Sequence, residues 1–302
     1  MNPFVNGETY FHDQFVRYVS RQLRRVTSQW SELIHVSKMS AEQTSGMSDT
    51  TQIRNRVRVI VMSIALKIIE VDGYTTDELL RVGELIDLIW IQAKIGAPTG
   101  THRDELHDIL RRWKYNVFIE TILKISDVNK AECAILSILI PAYETMYRVI
   151  LPLTFHTHNK ISFDHFLDPS VSESTLCSSC EEGYTYLALI QETLRRYPVV
   201  KRIKRETGHE MTSVDIAAIH LDEHIWERPE EFDPMRWMTS RRDGGYMPFG
   251  AGKGRCIANE KIVGLIVCMV LGVLEKPLRD FKSEDLRVLL VNDRGQQYGT
   301  SG

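Results

Sequence analysis

A mainly α-helical fold with a small β component is the class this chain predicts. Residues 8–38, 53–71, 77–95 and 101–127 keep apolar positions at helical spacing among charged ones. Residues 131–155, AECAILSILIPAYETMYRVILPLTF, are apolar over a long helical length. β-type sequence is confined to a short basic run after residue 196 and to LRVLLV at 286–291. In chain order, 8–38 is a helix of mixed charge, and the Ser/Thr-rich stretch 39–51 is a loop. Helices follow at 53–71 and 77–95, parted by a turn at Asp72-Gly73, and Ala97-Pro98-Thr99-Gly100 breaks the pattern. Residues 101–127 form a helix or two that lead into the long helix at 131–155. Ser172 to Glu182 is a loose linker, the apolar run 262–275 is a helix, and LRVLLV is a strand entering a turn at Asp293-Arg294-Gly295. There is no internal repeat.

Length and composition bound the function. The 302 residues permit one large or two medium domains. A hydrophobic share of 43% fills a sizeable core, and 25% charged residues is ordinary for a soluble protein. The net charge of -3 and the shortness of the basic run Lys201-Arg202-Ile203-Lys204-Arg205 argue against nucleic acid. Charges throughout the first 30 residues leave no expectation of a signal peptide or anchor there, and 262–275 is too short to span a bilayer. The expected location is cytoplasmic or peripheral to the endoplasmic reticulum. The cysteines Cys133, Cys177, Cys180, Cys256 and Cys268 are odd in number and mostly scattered through apolar segments, which predicts a reducing compartment without a disulfide framework. Cys177-Ser178-Ser179-Cys180 is a lone pair in a polar linker, whereas a zinc site needs four ligands. It reads as a surface loop.

Cys256 is the residue with the clearest chemical use. It ends Phe249-Gly250-Ala251-Gly252-Lys253-Gly254-Arg255-Cys256, and a helical run follows. The glycine turn lets backbone approach a large flat ligand. A helix N-terminus offers unpaired N–H groups and the positive end of a dipole, which favour a thiolate able to ligate a soft or borderline metal. The stretch resembles the haem-binding signature of cytochromes P450, matching at Phe249, Gly250, Gly252 and Cys256. It departs at Gly254, with Arg255 beside it where the family has an earlier Arg or His, and at Ala258 in place of the usual Gly.

Two further motifs occur in the family's order. Glu192 and Arg195 share a helix face three residues apart, and Glu192-Thr193-Leu194-Arg195 followed by Tyr197-Pro198 resembles the family's K helix. Phe232-Asp233-Pro234-Met235-Arg236-Trp237 is similar to its Phe-x-Pro-x-Arg segment. The resemblance implies that Arg236 joins Glu192 and Arg195 in a buried cluster. Such a cluster is tolerable only if its charges satisfy one another, and its role is to hold the core around the cysteine loop. In the long helix, Ala142, Glu144 and Thr145 match the family's I helix over the haem, with Pro141 in place of a small residue. The resemblance implies a proton relay through Glu144 and Thr145 for dioxygen chemistry, with Pro141 kinking the helix. Arg202 falls where several family members place an Arg on a haem propionate, a pairing that suits a guanidinium. His220 and His224 are assigned to no metal; the resemblance puts His220 in a strand-to-turn segment.

The resemblance is strong from about residue 131 to 275 and rests on helix pattern alone before that. It implies a single partial P450 domain over 1–302, a helical bundle around haem with small β-sheets, lacking the usual N-terminal part. Residues 1–130 would be distal helices and 131–302 the I helix to the haem-thiolate loop and C-terminal helix and strand. No Trp-x-x-x-Arg appears at Trp30, Trp90 or Trp113, and Trp237-x-x-x-Arg241 lies in the wrong place. The implied activity is a haem-thiolate monooxygenase that inserts oxygen into a small apolar organic substrate, with NADPH–cytochrome P450 reductase as electron donor. The style of the motifs is closer to fungal secondary-metabolite enzymes. Two alternatives stay open. One is a truncated, non-catalytic P450-like protein with impaired haem binding, and the other, lesser one uses peroxide-type rearrangement without a reductase.

Overall fold

The computed structural model describes residues 9–45, 50–115, 128–207, 210–239, 244–252 and 255–291. The chain divides into two compact units, Met1–Tyr147 and Arg148–Gly302.

The first unit carries α1 (Thr9–Arg25), α2 (Trp30–Gln43), α3 (Thr50–Ile68), β1 (Val71–Asp72), α4 (Thr76–Ile95), α5 (Gly100–Arg112), β2 (Lys114–Tyr115) and the first part of α6 (Val128–Thr157). The stretch 8–38 is therefore two helices, not one. A 3-10 turn at Thr27–Gln29 divides them, and the Ser28 hydroxyl donates back to the Arg25 carbonyl at 2.8 Å, closing α1. The loop expected at 39–51 is also shorter, because α2 runs on to Gln43. The Ser37 and Thr44 hydroxyls donate to carbonyls one turn earlier, at 2.7 and 2.8 Å, so these polar side chains are buried without cost. Residues 46–49 lie outside the described ones.

α4 begins at a reciprocal capping box, Thr75 with Glu78, and ends at Gly96 in the left-handed region. β1 and β2 pair antiparallel, Val71 opposite Tyr115, and the predicted turn at Asp72-Gly73 places Gly73 at φ 81°. The segment 116–127, expected to be helical, lies outside the described residues. Apolar side chains of α3 and α4, with Tyr143 and Tyr147 of α6, are fully buried. α6 continues through Pro141 without interruption. Its stretch Ile135–Thr157 is long and apolar enough to cross a membrane by length and composition, and it is mostly buried, as in a core helix.

The second unit adds α7 (Tyr186–Arg196), the hairpin β3 (Arg202–Thr207) and β4 (Glu210–Asp215), α8 (Ile216–His220), α9 (Arg236–Thr239) and α10 (Glu260–Leu278). In the hairpin Arg202 lies opposite Asp215 and Thr207 opposite Glu210. α10 is buried along nearly its whole length and packs on α7 and on the 3-10 turn Asp164–Leu167.

The linker Ser172 to Glu182 is ordered: Ser172 and Thr175 cap a 3-10 turn at Glu173–Cys177, Leu176 is buried, and Ser179 bridges to Thr185. Cys177 is exposed but Cys180 is buried, so only half of that pair is surface. The stretch 286–291 is a 3-10 turn, Asp285–Leu290, and not a strand. Leu286 and Leu289 are both buried, and their spacing of three brings them to one side of a 3-10 helix, which a strand would not do. The turn expected at 293–295 lies outside the described residues.

Candidate functional site

α7 sets the frame. Thr185 caps it by accepting from the Ala188 N–H at 3.1 Å. Its inner face then buries Leu189, Ile190, Glu192, Thr193, Leu194 and Arg195. Glu192 and Arg195 are both fully buried, and two charges so placed must be answered nearby. Arg195 Nε and Nη2 donate to the two Glu192 oxygens at 2.9 and 2.7 Å, a bidentate pair. The remaining guanidinium donors go to the carbonyls of His220, Pro229 and Glu231 at 2.9, 2.8 and 3.0 Å.

Arg236, the first residue of α9, donates from Nε to Glu192 at 3.2 Å and from Nη1 to the Glu227 carbonyl at 2.8 Å. Glu192, Arg195 and Arg236 thus lie side by side. Two further donors reach the same carboxylate. The Asp233 N–H lies at 2.9 Å from Oε1 and the Trp237 indole N–H at 2.9 Å from Oε2. The indole was not among the residues expected here. The available signal was a Trp directly after the arginine of the Phe-x-Pro-x-Arg segment.

The cysteine loop leaves this frame. Tyr246 donates from its hydroxyl to Glu260 at 2.9 Å, and its ring lies 4.6 Å from that of Trp237. The Gly250 N–H donates to the Met247 carbonyl at 3.0 Å, the Arg255 N–H to Gly252 at 3.1 Å, and the Cys256 N–H to Phe249 at 2.8 Å. This double turn needs Gly250 at φ 70° and Gly252 at φ 64°, a conformation that side chains resist. A Cβ on Gly252 would meet nothing within 4 Å, so it is the backbone angle and not crowding that requires the glycine, and this face of the loop is open. Cys256 is exposed, in contrast to the buried Cys268 of α10. α10 begins four residues after Cys256, with Asn259 accepting from the Ile262 N–H at 2.9 Å. The helix cap is therefore Asn259 and not the cysteine. Phe249 is half-buried, Arg255 is exposed, and Gly254 lies outside the described residues.

Residues 184–259 match the family model described as Cytochrome P450. Their span includes Glu192, Arg195, Arg236 and Cys256. Over this stretch the chain is similar to cytochromes P450. Thromboxane-A synthase of Mus musculus is 33% identical over 115 residues, covering 32% of this chain and 22% of that protein. Probable cytochrome P450 6t1 of Drosophila melanogaster is 26% identical over 194 residues, covering 53% of this chain and 36% of that protein. Among solved structures, a retinoic acid-bound cyanobacterial P450, CYP120A1, is similar with a TM-score of 0.63 at 14% identity. It covers 88% of this chain and 71% of that one, a likeness of fold. The aligned stretches span well under half the length of these curated relatives. The mainly helical P450 fold expected from the sequence is the fold observed.

P450 family members bind haem through a cysteine thiolate. The donor chemistry here fits such a group. Among the described residues no three His, Cys, Asp or Glu converge as a metal cluster. A single exposed sulfur on a glycine turn suits a metal that brings its other ligands in a flat macrocycle. Arg202 is less available than expected: its guanidinium lies 2.7 Å from Asp215 Oδ2 across the hairpin. In α6, the Thr145 hydroxyl donates to the Pro141 carbonyl one turn back at 2.5 Å. Glu144 is half-buried beside it.

Proposed function

We propose that this chain is the core of a haem-thiolate monooxygenase that inserts one oxygen atom of dioxygen into a small apolar organic substrate, in the manner of a secondary-metabolite tailoring enzyme. The observation that carries this reading is the exposed Cys256 on its double glycine turn, anchored beside the closed Glu192–Arg195–Arg236 cluster. Bound haem would supply the activation of dioxygen. Cys256 would hold it through sulfur, while Phe249, Gly250, Gly252 and Arg255 would lie against its face. Arg202 would take a propionate by exchanging Asp215 for it. Thr145 would hold a proton on its hydroxyl and Glu144 would replenish it, the hydroxyl turning away from the Pro141 carbonyl to do so. Electrons would come from NADPH–cytochrome P450 reductase. A second reading, a P450-like protein with impaired haem binding, is favoured by the engagement of Arg202 with Asp215.

A reduced carbon monoxide difference spectrum of the purified chain loaded with haem separates the two. Thiolate ligation gives the long-wavelength Soret band in the parent, and Cys256→Ala abolishes it. A parent without that band, or a Cys256→Ala variant that keeps it, refutes ligation by Cys256. Turnover with the reductase then tests the electron donor, and an apolar substrate is expected to shift the resting spectrum.

A further inference from the structure

His220 is fully buried at the end of α8, and two of its atoms face two different parts of the site. Its carbonyl accepts from Arg195 Nη1 at 2.9 Å, inside the charge cluster. Its ring Nε2 lies 3.1 Å from the Met247 N–H, at the entry to the cysteine loop. From Met247 the path to the thiol is short. The Met247 carbonyl accepts from Gly250, and the carbonyl of Phe249, the residue before Gly250, accepts from Cys256. The Tyr246 ring lies flat beside the imidazole, with centroids 5.9 Å apart and an interplanar angle of 21°, and its hydroxyl is held by Glu260 at the start of α10. The loop entry is thus gripped from α8 on one side and from α10 on the other.

The Met247 amide has one proton to give, so Nε2 must present a lone pair. A neutral imidazole with that lone pair carries its proton on Nδ1. Nδ1 is buried without a hydrogen bond of good geometry, and the backbone of Leu194 and Arg195 near the end of α7 lies close to the ring. Burial disfavours the imidazolium and pushes the pKa down to about 4, so the ring is neutral under ordinary conditions.

We infer that His220 is the positioning residue for Cys256: its Nε2 lone pair fixes the Met247 peptide, and through the Met247–Gly250 turn it sets where the thiol stands relative to the buried charge cluster. The use of that position rests on the haem-thiolate reading above. The geometry does not, and the test separates them.

The experiment compares the full chain with His220→Leu, which deletes the acceptor, and with His220→Gln, whose side-chain oxygen reaches the place of Nε2. Amide hydrogen exchange is followed without haem. In His220→Leu the Met247 amide is expected to exchange about tenfold faster or more, the equivalent of one hydrogen bond. The α7 amides should keep their parental rates, and His220→Gln should restore most of the protection. Unchanged exchange at Met247 in His220→Leu overturns the inference. If His220→Leu unfolds, the imidazole nitrogen shifts of the parent decide. A protonated Nδ1 with a bare Nε2 supports the inference, and a protonated Nε2 refutes it.

After haem loading, His220→Leu is expected to divert part of the carbon monoxide band into the inactive form, and His220→Gln to recover it. A parental band in His220→Leu overturns the positioning role and leaves thiolate ligation intact. A parent that never shows the thiolate band removes the haem-thiolate reading, while the exchange result still judges the loop.

Discussion

Glu192 collects five hydrogen bonds, two from Arg195 and one each from Arg236, the Asp233 amide and the Trp237 indole. A carboxylate offers about four lone-pair sites, so this one is saturated. Saturation is what makes two buried guanidiniums tolerable, and it makes the donors unequal in cost. Removing the indole donor in Trp237→Phe leaves all three charges in place and is expected to cost about 2 kcal/mol. Glu192→Gln leaves Arg195 and Arg236 without a counter-charge and is expected to cost about 3–5 kcal/mol. Urea unfolding of the two variants checks the ranking, which fails if Trp237→Phe is the more damaging. The cluster members were legible because their motifs have fixed spacing. The indole and the His220 imidazole were not, since each meets its partner across 45 and 27 residues of sequence, respectively.

Elements were legible where local signals agree. α4 has its capping box, its apolar stripe and its terminal glycine, and its observed bounds match the sequence pattern within a residue. The failures came where a tertiary contact decided. Leu286 and Leu289 make an apolar run that reads as strand, yet each is buried at 3-10 spacing. Polar 39–43 reads as loop, yet α2 runs on to Gln43 and the Thr44 hydroxyl that follows donates to the Ser40 carbonyl one turn back. α10 shows how tightly such contacts constrain sequence. A Cβ added to Gly272 would stand 2.8 Å from the Phe163 carbonyl, a backbone atom that has little room to retreat. Gly272→Ala is therefore expected to destabilise by about 1–3 kcal/mol despite its better helix propensity. Equal or higher stability in thermal unfolding would show that the 3-10 turn at Asp164–Leu167 yields.

At the scale of the whole molecule, two buried histidines set a pH limit. His156 stacks on Phe232 with centroids 3.7 Å apart and bonds the Tyr197 hydroxyl at 2.7 Å. Burial, with Lys160 and Arg196 nearby, pushes its pKa down to about 4, as burial does for His220. In the unfolded chain both would protonate near 6.5. Between those values the unfolded state binds the extra protons, so stability is whole above about pH 6.5 and is lost as pH falls toward 4. The slope is about 1.4 kcal/mol per pH unit for each histidine. Urea midpoints at pH 7 and pH 5 test this. His156→Gln is expected to flatten the dependence by about half of the histidine share, and an unchanged slope would show that His156 titrates alike in both states. By itself the sequence determined the helical class, the order of the P450 motifs and Cys256 as the sulfur on a glycine turn, because these depend on local spacing and residue type. Only the tertiary structure decided that Arg202 is engaged by Asp215, that Thr145 is bonded within its own helix, and that His220 joins the charge cluster to the cysteine loop. Each is a hydrogen bond whose geometry depends on where the folded backbone places donor and acceptor, which residue type and spacing alone do not specify.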